Sequence, residues 1–369
     1  MTDVLKATLR PVARAGRHAA AWTRGFLGCI AGTPQGPPIL GFGQRVPSRS
    51  EIDVGGILKL QELQEAFAAA PFRYNVLYLV TSRLPDGAVS LARWAKHRGA
   101  RLVVNQNGVA YPAWYGEGWQ HENAPMASLL EMADHVFYQS AFCKLSADRF
   151  VGRRDGPWEV LFNAVDTRRF APAPTAERAT LTVLLGGSQD SWYRVDTALH
   201  VIAALVARGT NVQLHVTGRL RWAPQPLETR RQADARAREL GIADRVAFLG
   251  PYNQVDAPGL FRRADLLLHT KYNDPCPAVV IEAMASGLPI VYSRSGGVPE
   301  LVGADAGIGI EAPLDWDHDI PPDPAAMAEA VLTIAETRRR FAEAARQRAV
   351  DALDVAHWIE RHRAVFEVA

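Results

Sequence analysis

Residues 272–303 read YNDPCPAVVIEAMASGLPIVYSRSGGVPELVG, and this stretch decides the fold. Its centre, PAVVIEAMASG, has the form of a short helix, with Pro277 suited to the first helical position and Gly287 to the residue just past the end. Every residue of that helix is apolar or small except Glu282. A helix apolar all round belongs in a core, and a carboxylate carried into a core is costly unless something donates hydrogen bonds to it. The helix itself holds no Lys or Arg. Glu282 therefore needs a partner from outside. The paired hydroxyls of a sugar fit, and so does a distant Arg in a buried strand–helix crossover.

Asp274 stands eight positions before Glu282, in the loop that feeds the helix. The loop brings it near the free N–H groups of the helix start, which are themselves a site for anions. A carboxylate for hydroxyls, amides for phosphate and a second buried carboxylate match the groups of a nucleotide sugar. The segment resembles the signature of retaining glycosyltransferases of family 4, which have the GT-B fold. Those enzymes carry two carboxylates separated by seven residues, then Glu-Ala-Met-Ala-x-Gly-x-Pro and Gly-Gly-x-Pro-Glu. Here Asp274 stands where the first Glu is usual and Glu282 is the second; EAMASGLP follows, and GGVPE runs from Gly296 to Glu300.

The rest of the chain alternates strand and helix twice over, which predicts two doubly wound α/β domains. PPILGFG (37–43), NVLYLVTS (75–82) and RLVVNQNG (101–108) read as strands of the first, and Gly55–Gly56 opens a helix between the first two. Residues 109–123, rich in aromatics and glycine and without period, read as a loop at the sheet's carboxyl edge. Strand and helix follow over 133–150, and WEVLFNAVDTRRFAP (158–172) is similar to the family's linker strand. A second series starts at TLTVLLGG (180–187) and continues through 211–218, a charged helix at 227–240, 245–250 and 260–270 into the signature. The tail is helical. The resemblance implies two facing Rossmann-like domains with a C-terminal helix crossing back to the first. The expected division is a basic segment at 1–36, an acceptor domain at 37–172, a nucleotide-sugar donor domain at 173–350 and the returning helix at 351–369.

With 369 residues, 48% hydrophobic and 22% charged, the chain has the composition of a globular protein of about two domains. Its three cysteines, Cys29, Cys143 and Cys276, form no metal or redox spacing and suit a reducing, cytoplasmic setting. No apolar run reaches the length of a membrane span. Lys6, Arg10, Arg14, Arg17 and Arg24 stand against Asp3 alone in the first 36 residues. On a helix the arginines from Arg10 onward share one face, opposite Val12, Ala15, Ala19, Trp22 and Phe26, the pattern of a segment that rests on an anionic membrane. A loosely docked tail accounts equally for the alanines and for Gly16 and Gly25.

The resemblance then assigns roles. Breaking the bond to a nucleoside diphosphate without a metal requires cations and helix N-termini around the leaving group. The family places an Arg and a Lys after the first strand of its second domain; here Ser188 occupies the Arg position and Arg194 the Lys position. Lys271 and Arg219 are candidates for the missing charge. Asp274 is assigned the hydroxyls of the transferred sugar, the backbone of Cys276, Pro277, Ala278 and Val279 the diphosphate, and Glu282 the ribose. Gly55 and Gly56 fit the loop that meets the donor's diphosphate or the acceptor. The family's first-domain His is absent, with Asn107 in its place and His121 downstream; Glu300 is assigned a structural role in its short helix.

The function implied is a metal-independent, retaining glycosyltransferase that needs no cofactor beyond its nucleotide-sugar donor. It would serve a glycan or lipid-linked acceptor in surface polysaccharide or glycoconjugate assembly at the inner face of the membrane. Two alternatives stay open: a degenerate nucleotide-sugar-binding partner subunit, and a nucleotide-sugar epimerase of the same fold. A phosphorylase would want a pyridoxal-binding Lys motif, which the sequence lacks. Nucleic-acid binding has no motif to support it.

Overall fold

Near-continuous runs of Val, Ile and Leu are what a parallel sheet covered on both faces requires, and the chain supplies them in two series. In the computed structural model, which describes residues 32–52, 55–173 and 179–367 together with Thr23, they build two six-stranded parallel sheets, one in each of two units. The first unit ends at Leu161 and takes up the chain again from Ile359; the second spans Phe162–Trp358 and also holds Arg49–Asp53. The basic segment read as a surface helix lies almost wholly outside the described residues. Among the described residues no helix is long and apolar enough to cross a membrane.

The first sheet contains β1 (Ile39–Gly41), β2 (Ala68–Ala69), β3 (Val76–Val80), β4 (Arg101–Gln106), β5 (His135–Tyr138) and β6 (Trp158–Val160), in the order β2-β1-β3-β4-β5-β6. The second contains β7 (Leu181–Leu185), β8 (Val212–Thr217), β9 (Val246–Gly250), β10 (Leu266–His269), β11 (Ile290–Arg294) and β12 (Gly307–Glu311), in the order β12-β11-β10-β7-β8-β9. Each begins at an inner strand, runs outward one way, and then crosses back. The crossing leaves a switch point between β1 and β3 and another between β7 and β10, the places where open α/β sheets hold ligands. Alternation along the second sheet feeds two cores. Leu184, Leu267 and Ile290 face the signature helix Ala278–Ala285. Val183, Leu185, Leu266 and Leu268 face the helices Trp192–Ala207 and Pro324–Glu336.

The structure differs from the sequence expectation in three places. The aromatic stretch 109–123 is not one loop: Pro112–Tyr115 forms a single turn, and a helix runs over Trp119–Met132. That helix exists because Asn123, Met126, Leu129 and Leu130 bury one face, while Tyr111 and Trp119 both pack on Phe150 at ring distances of 5.8 and 5.2 Å. The division between units falls at Leu161–Phe162 rather than after residue 172. Phe170 is fully buried in the second unit's core, and Val165 bridges to Asp354. The return to the first unit comes at Ile359 rather than 351. There His362, with no exposed surface, meets the Tyr78 hydroxyl at 2.9 Å and lies 4.3 Å from the Phe137 ring.

One arginine ties the linker to the end of the signature helix. Arg346 Nη1 donates to the carbonyls of Thr167 (2.9 Å), Phe170 (2.9 Å) and Ala285 (2.7 Å). An Arg346→Met substitution keeps much of the stem and removes all three bonds, so it is expected to lower unfolding stability by about 2–3 kcal/mol in urea titration. A loss below about 0.5 kcal/mol would mean that the carbonyls find water instead.

Candidate active site

The signature helix begins one residue later than its sequence suggested. Pro277 is the N-cap, with φ −70° and ψ 120°, and Ala278 opens the helix, while Gly287 takes the left-handed turn past its end at φ +74°. Among the described residues no side chain caps this N-terminus, and the first amides of such a helix start have capacity for an anion. The loop that leads there is fixed from both sides. Asn163 Nδ2 donates to the Cys276 carbonyl at 2.7 Å. The Asn273 N–H donates to Ser295 Oγ at 2.9 Å, and the Gly297 N–H to the Asp274 carbonyl at 2.9 Å. A Cβ on Gly296 would stand 2.5 Å from that same carbonyl oxygen. The glycines of GGVPE therefore serve to let one turn lie directly on the backbone of the other. Glu300 lies in the following helix, Val298–Val302.

The loop after β7 closes in from the other side of the switch point. A Cβ on Gly186 would meet Val279 Cγ2 at 2.5 Å, so Gly186 and Gly187 lie against the first turn of the signature helix. Gly218, after β8, packs on the Gly187 carbonyl with no space for a side chain. Arg194 sits beneath this loop, 4% exposed, with Nη1 donating to the Ser188 carbonyl at 2.8 Å. Its Nε is buried and has no hydrogen-bond partner among the described residues. Arg219 holds the same loop through its backbone, its carbonyl accepting from the Gln189 N–H at 2.8 Å.

Asp274 is 9% exposed and ringed by positive and polarisable groups. Its Oδ2 lies 3.4 Å from Lys271 Nζ and 3.3 Å from His269 Nε2, the latter close enough for attraction but not aligned as a hydrogen bond. Burial alone would push the carboxyl up. The Lys271 charge, the His269 ring and the Arg194 guanidinium outweigh it and hold Asp274 well below its ordinary 3.8. Burial also pushes His269 down from 6.5, only partly opposed by Asp274, so the ring is neutral at pH 7. Asp274 is thus an ionised carboxylate beside an uncapped helix start, with two cations within its field.

Glu282 is 5% exposed and accepts a hydrogen bond from Gln254 Nε2 at 3.0 Å. One partner for it is thus an amide from the loop after β9. Burial pushes the nearby Tyr252 hydroxyl up, and the Glu282 charge adds to the effect. A hollow of about 730 Å³ opens in this part of the unit, lined by Arg169, Pro251, Tyr252, Val255 and Arg262 among others.

Asp274, Arg194, Glu282 and Cys276–Val279 all belong to the second unit; Gly55, Gly56 and Asn107 belong to the first. There, Gly55 (φ +25°) precedes the helix Gly56–Ala66, and a Cβ on Gly56 would stand 2.7 Å from Ser82 Oγ. Asn107 donates from Nδ2 to Ser82 Oγ at 2.6 Å, and its Oδ1 accepts from Lys59 Nζ at 3.2 Å. Lys59 is 5% exposed and also donates to Asn105 Oδ1 at 2.7 Å. His121 is exposed in the first turn of its helix. The sequence reading missed Lys59, His269 and Gln254. The available signals were a Lys on the buried face of an apolar helix and a His closing an apolar strand; Gln254 had none.

Residues 174–348 match the family described as glycosyl transferases group 1. The D-inositol 3-phosphate glycosyltransferase of Corynebacterium jeikeium is 39% identical over 83 residues, which cover 22% of this chain and 20% of that protein. The matched stretch is thus about a fifth of the curated relative's length. In structure the chain is similar to Anabaena HepE in complex with UDP and glucose, with a TM-score of 0.67, 18% identity, and coverage of 90% and 100% of the two chains. It is also similar to sucrose-phosphate synthase from Thermosynechococcus elongatus, with a TM-score of 0.62, 18% identity, and coverage of 81% and 75%. The resemblance to GT-B glycosyltransferases is borne out by these matches.

Two expectations follow from the geometry. Gly296→Ala is expected to cost at least about 2 kcal/mol in thermal unfolding, from its φ of +64° together with the clash on the Asp274 carbonyl. Gly241→Ala, at φ +69° but with no atom within 4 Å, isolates the conformational part at about 1 kcal/mol; equal losses would remove the close approach as a cause. For Asp274, the folded-state pKa is depressed, so its charged form contributes stability that is complete above 3.8 and shrinks as the pH falls below it. The stability gap between the parent chain and Asp274→Asn should narrow by about 1 kcal/mol from pH 7 to pH 3 in urea unfolding. A gap that widens at pH 3 would reverse the sign of the argument.

Proposed function

We propose that this chain, a relative of the group 1 glycosyl transferases, transfers a sugar from a nucleoside diphosphate sugar to a glycan or lipid-linked acceptor. The observation that carries the reading is the uncapped start of the Ala278–Ala285 helix, set between ionised Asp274 and buried Glu282. The backbone of Cys276–Val279 would take the diphosphate, through N–H groups other than that of Pro277, which has none; Glu282 would take the ribose hydroxyls and Asp274 the hydroxyls of the transferred sugar. Lys271 and Arg194 would supply positive charge to the leaving diphosphate, with Lys271 making up for the cation that Ser188 displaces. Arg194 would act from beneath the loop, through its field and through the Ser188 carbonyl it holds.

In the reaction proposed, an acceptor hydroxyl oxygen bonds to the anomeric carbon as the carbon–oxygen bond to the diphosphate breaks. The hydroxyl proton passes to the departing phosphate oxygen on the same face, so the configuration is retained without an enzymic nucleophile or a metal. Gly55, Gly56 and Asn107 would serve the acceptor side, in a first unit where Lys59 holds Asn107 in place. The basic residues between Lys6 and Arg24 support a contact with anionic membrane at its inner face.

Calorimetric titration with UDP, GDP and ADP in the presence of a chelator tests the donor site. HepE is described with UDP and glucose, which makes UDP the first probe. One nucleotide is expected to bind, and Glu282→Ala to weaken it at least about tenfold. Absence of binding to all three by the folded protein would overturn the proposal.

A further inference from the structure

Gln254 touches Glu282 and is itself held by an arginine. Its Nε2 donates to Glu282 Oε1 at 3.0 Å, and its Oε1 accepts from Arg169 Nη2 at 3.0 Å. Its backbone N–H donates to the Arg49 carbonyl at 3.2 Å. A side-chain amide has one donor end and one acceptor end, and a guanidinium only donates. The end facing Arg169 must therefore be the oxygen, which leaves the NH2 for Glu282. Arg169 is in turn anchored: its guanidinium lies 5.0 Å from the ring centre of Phe170, which is fully buried.

The arrangement solves a specific problem. An arginine placed directly on Glu282 would favour a two-pronged pair that occupies both carboxylate oxygens. An amide placed between them uses a single lone pair on Oε1 and still fixes the rotamer of the carboxylate.

We propose that Gln254 is a positioning residue that holds the Glu282 carboxylate for the two ribose hydroxyls, with Arg169 setting the orientation of Gln254. The inference rests on the reading of Glu282 as the ribose ligand. It assigns to the Arg169–Gln254–Glu282 chain the preference for ribonucleotides over deoxyribonucleotides. A site built to hydrogen-bond a hydroxyl discriminates strongly against the analogue that lacks it.

The test titrates the intact chain with UDP and 2′-deoxy-UDP, and with the matching guanosine and adenosine pairs. The parent is expected to prefer the ribonucleotide at least about tenfold. In Gln254→Ala the preference should fall to about threefold or less, with affinity for the ribonucleotide falling further than that for the deoxynucleotide, which makes only the 3′-hydroxyl contact. Gln254→Glu keeps the size of the side chain and the bond to Arg169 but sets two carboxylates face to face. Its preference should be lost at pH 8 and return as the pH falls toward 5, when the pair shares a proton and the hydrogen bond re-forms. Gln254→Ala should show no such return. A Gln254→Ala protein that keeps the parent's preference, or loses both nucleotides equally, would overturn the role given to Gln254. A pH-independent Gln254→Glu would do the same. A parent that binds no nucleotide, or binds ribo and deoxy forms alike, would instead overturn the assignment of Glu282, and the role of Gln254 with it.

Discussion

At Gly296 the backbone of one turn rests on the backbone of another, and the same device recurs around the second unit's switch point. Gly218 lies on the Gly187 carbonyl, and Gly186 on Val279. Each contact joins loops that follow different strands: β10 to β11, β8 to β7, and β7 to the signature helix. A methyl group at any of them would force the loops apart by an ångström or more, since real side chains do not approach so closely. The cluster of charges around Asp274 depends on this proximity. Asp274 reaches the field of Arg194 because the loop after β7 and the loop after β10 are both pressed onto the same helix start.

That proximity also explains how charge survives in a place with little water. A carboxylate as buried as Asp274 would ordinarily be driven toward its neutral form. Lys271 on its own loop, His269 at the end of β10 and Arg194 from the neighbouring helix reverse the balance. Glu282 accepts a directional bond from the neutral amide of Gln254. The two carboxylates eight residues apart are therefore not equivalent. One is held ionised by surrounding charge, the other oriented by a directional bond, as suits groups that would meet different parts of one substrate.

Much of this was legible in the chain. The alternation of apolar runs with helical stretches gave both sheets, and Pro277 and Gly287 bounded the signature helix to within a residue. The isolation of Glu282 on an apolar helix announced that a donor had to come from elsewhere. Which donor was not legible, because Gln254 is 28 positions away in a loop with no pattern of its own. Lys59 was hidden for the opposite reason: a lysine within an apolar-periodic helix reads as a solvated position until its bonds to Asn105 and Asn107 are seen. The stretch 109–123 misled because Pro112, Gly116 and Gly118 interrupt it, while the apolar spacing of the helix that starts at Trp119 shows only from Asn123 onward. The division between units was misplaced because prolines at 172 and 174 signal a break, whereas the buried side chains of Val165 and Phe170 decide where the cores separate.

The return of residues 359–366 to the first unit has a consequence for how the protein is made. The bond between Tyr78 and His362 spans 284 positions, and the Phe366 ring sits 5.2 Å from Phe67. A nascent chain exposes the first sheet on the ribosome long before those residues are synthesised, whereas domains commonly fold in the order of their synthesis. Here the earlier unit gains its last packing residues only when the end of the chain is made. During that interval Tyr78 and Phe137 lack their cover, so the first unit is the part that chaperones would recognise. A message cut short before His362 would yield a protein whose second unit is complete but whose first is left open to proteolysis.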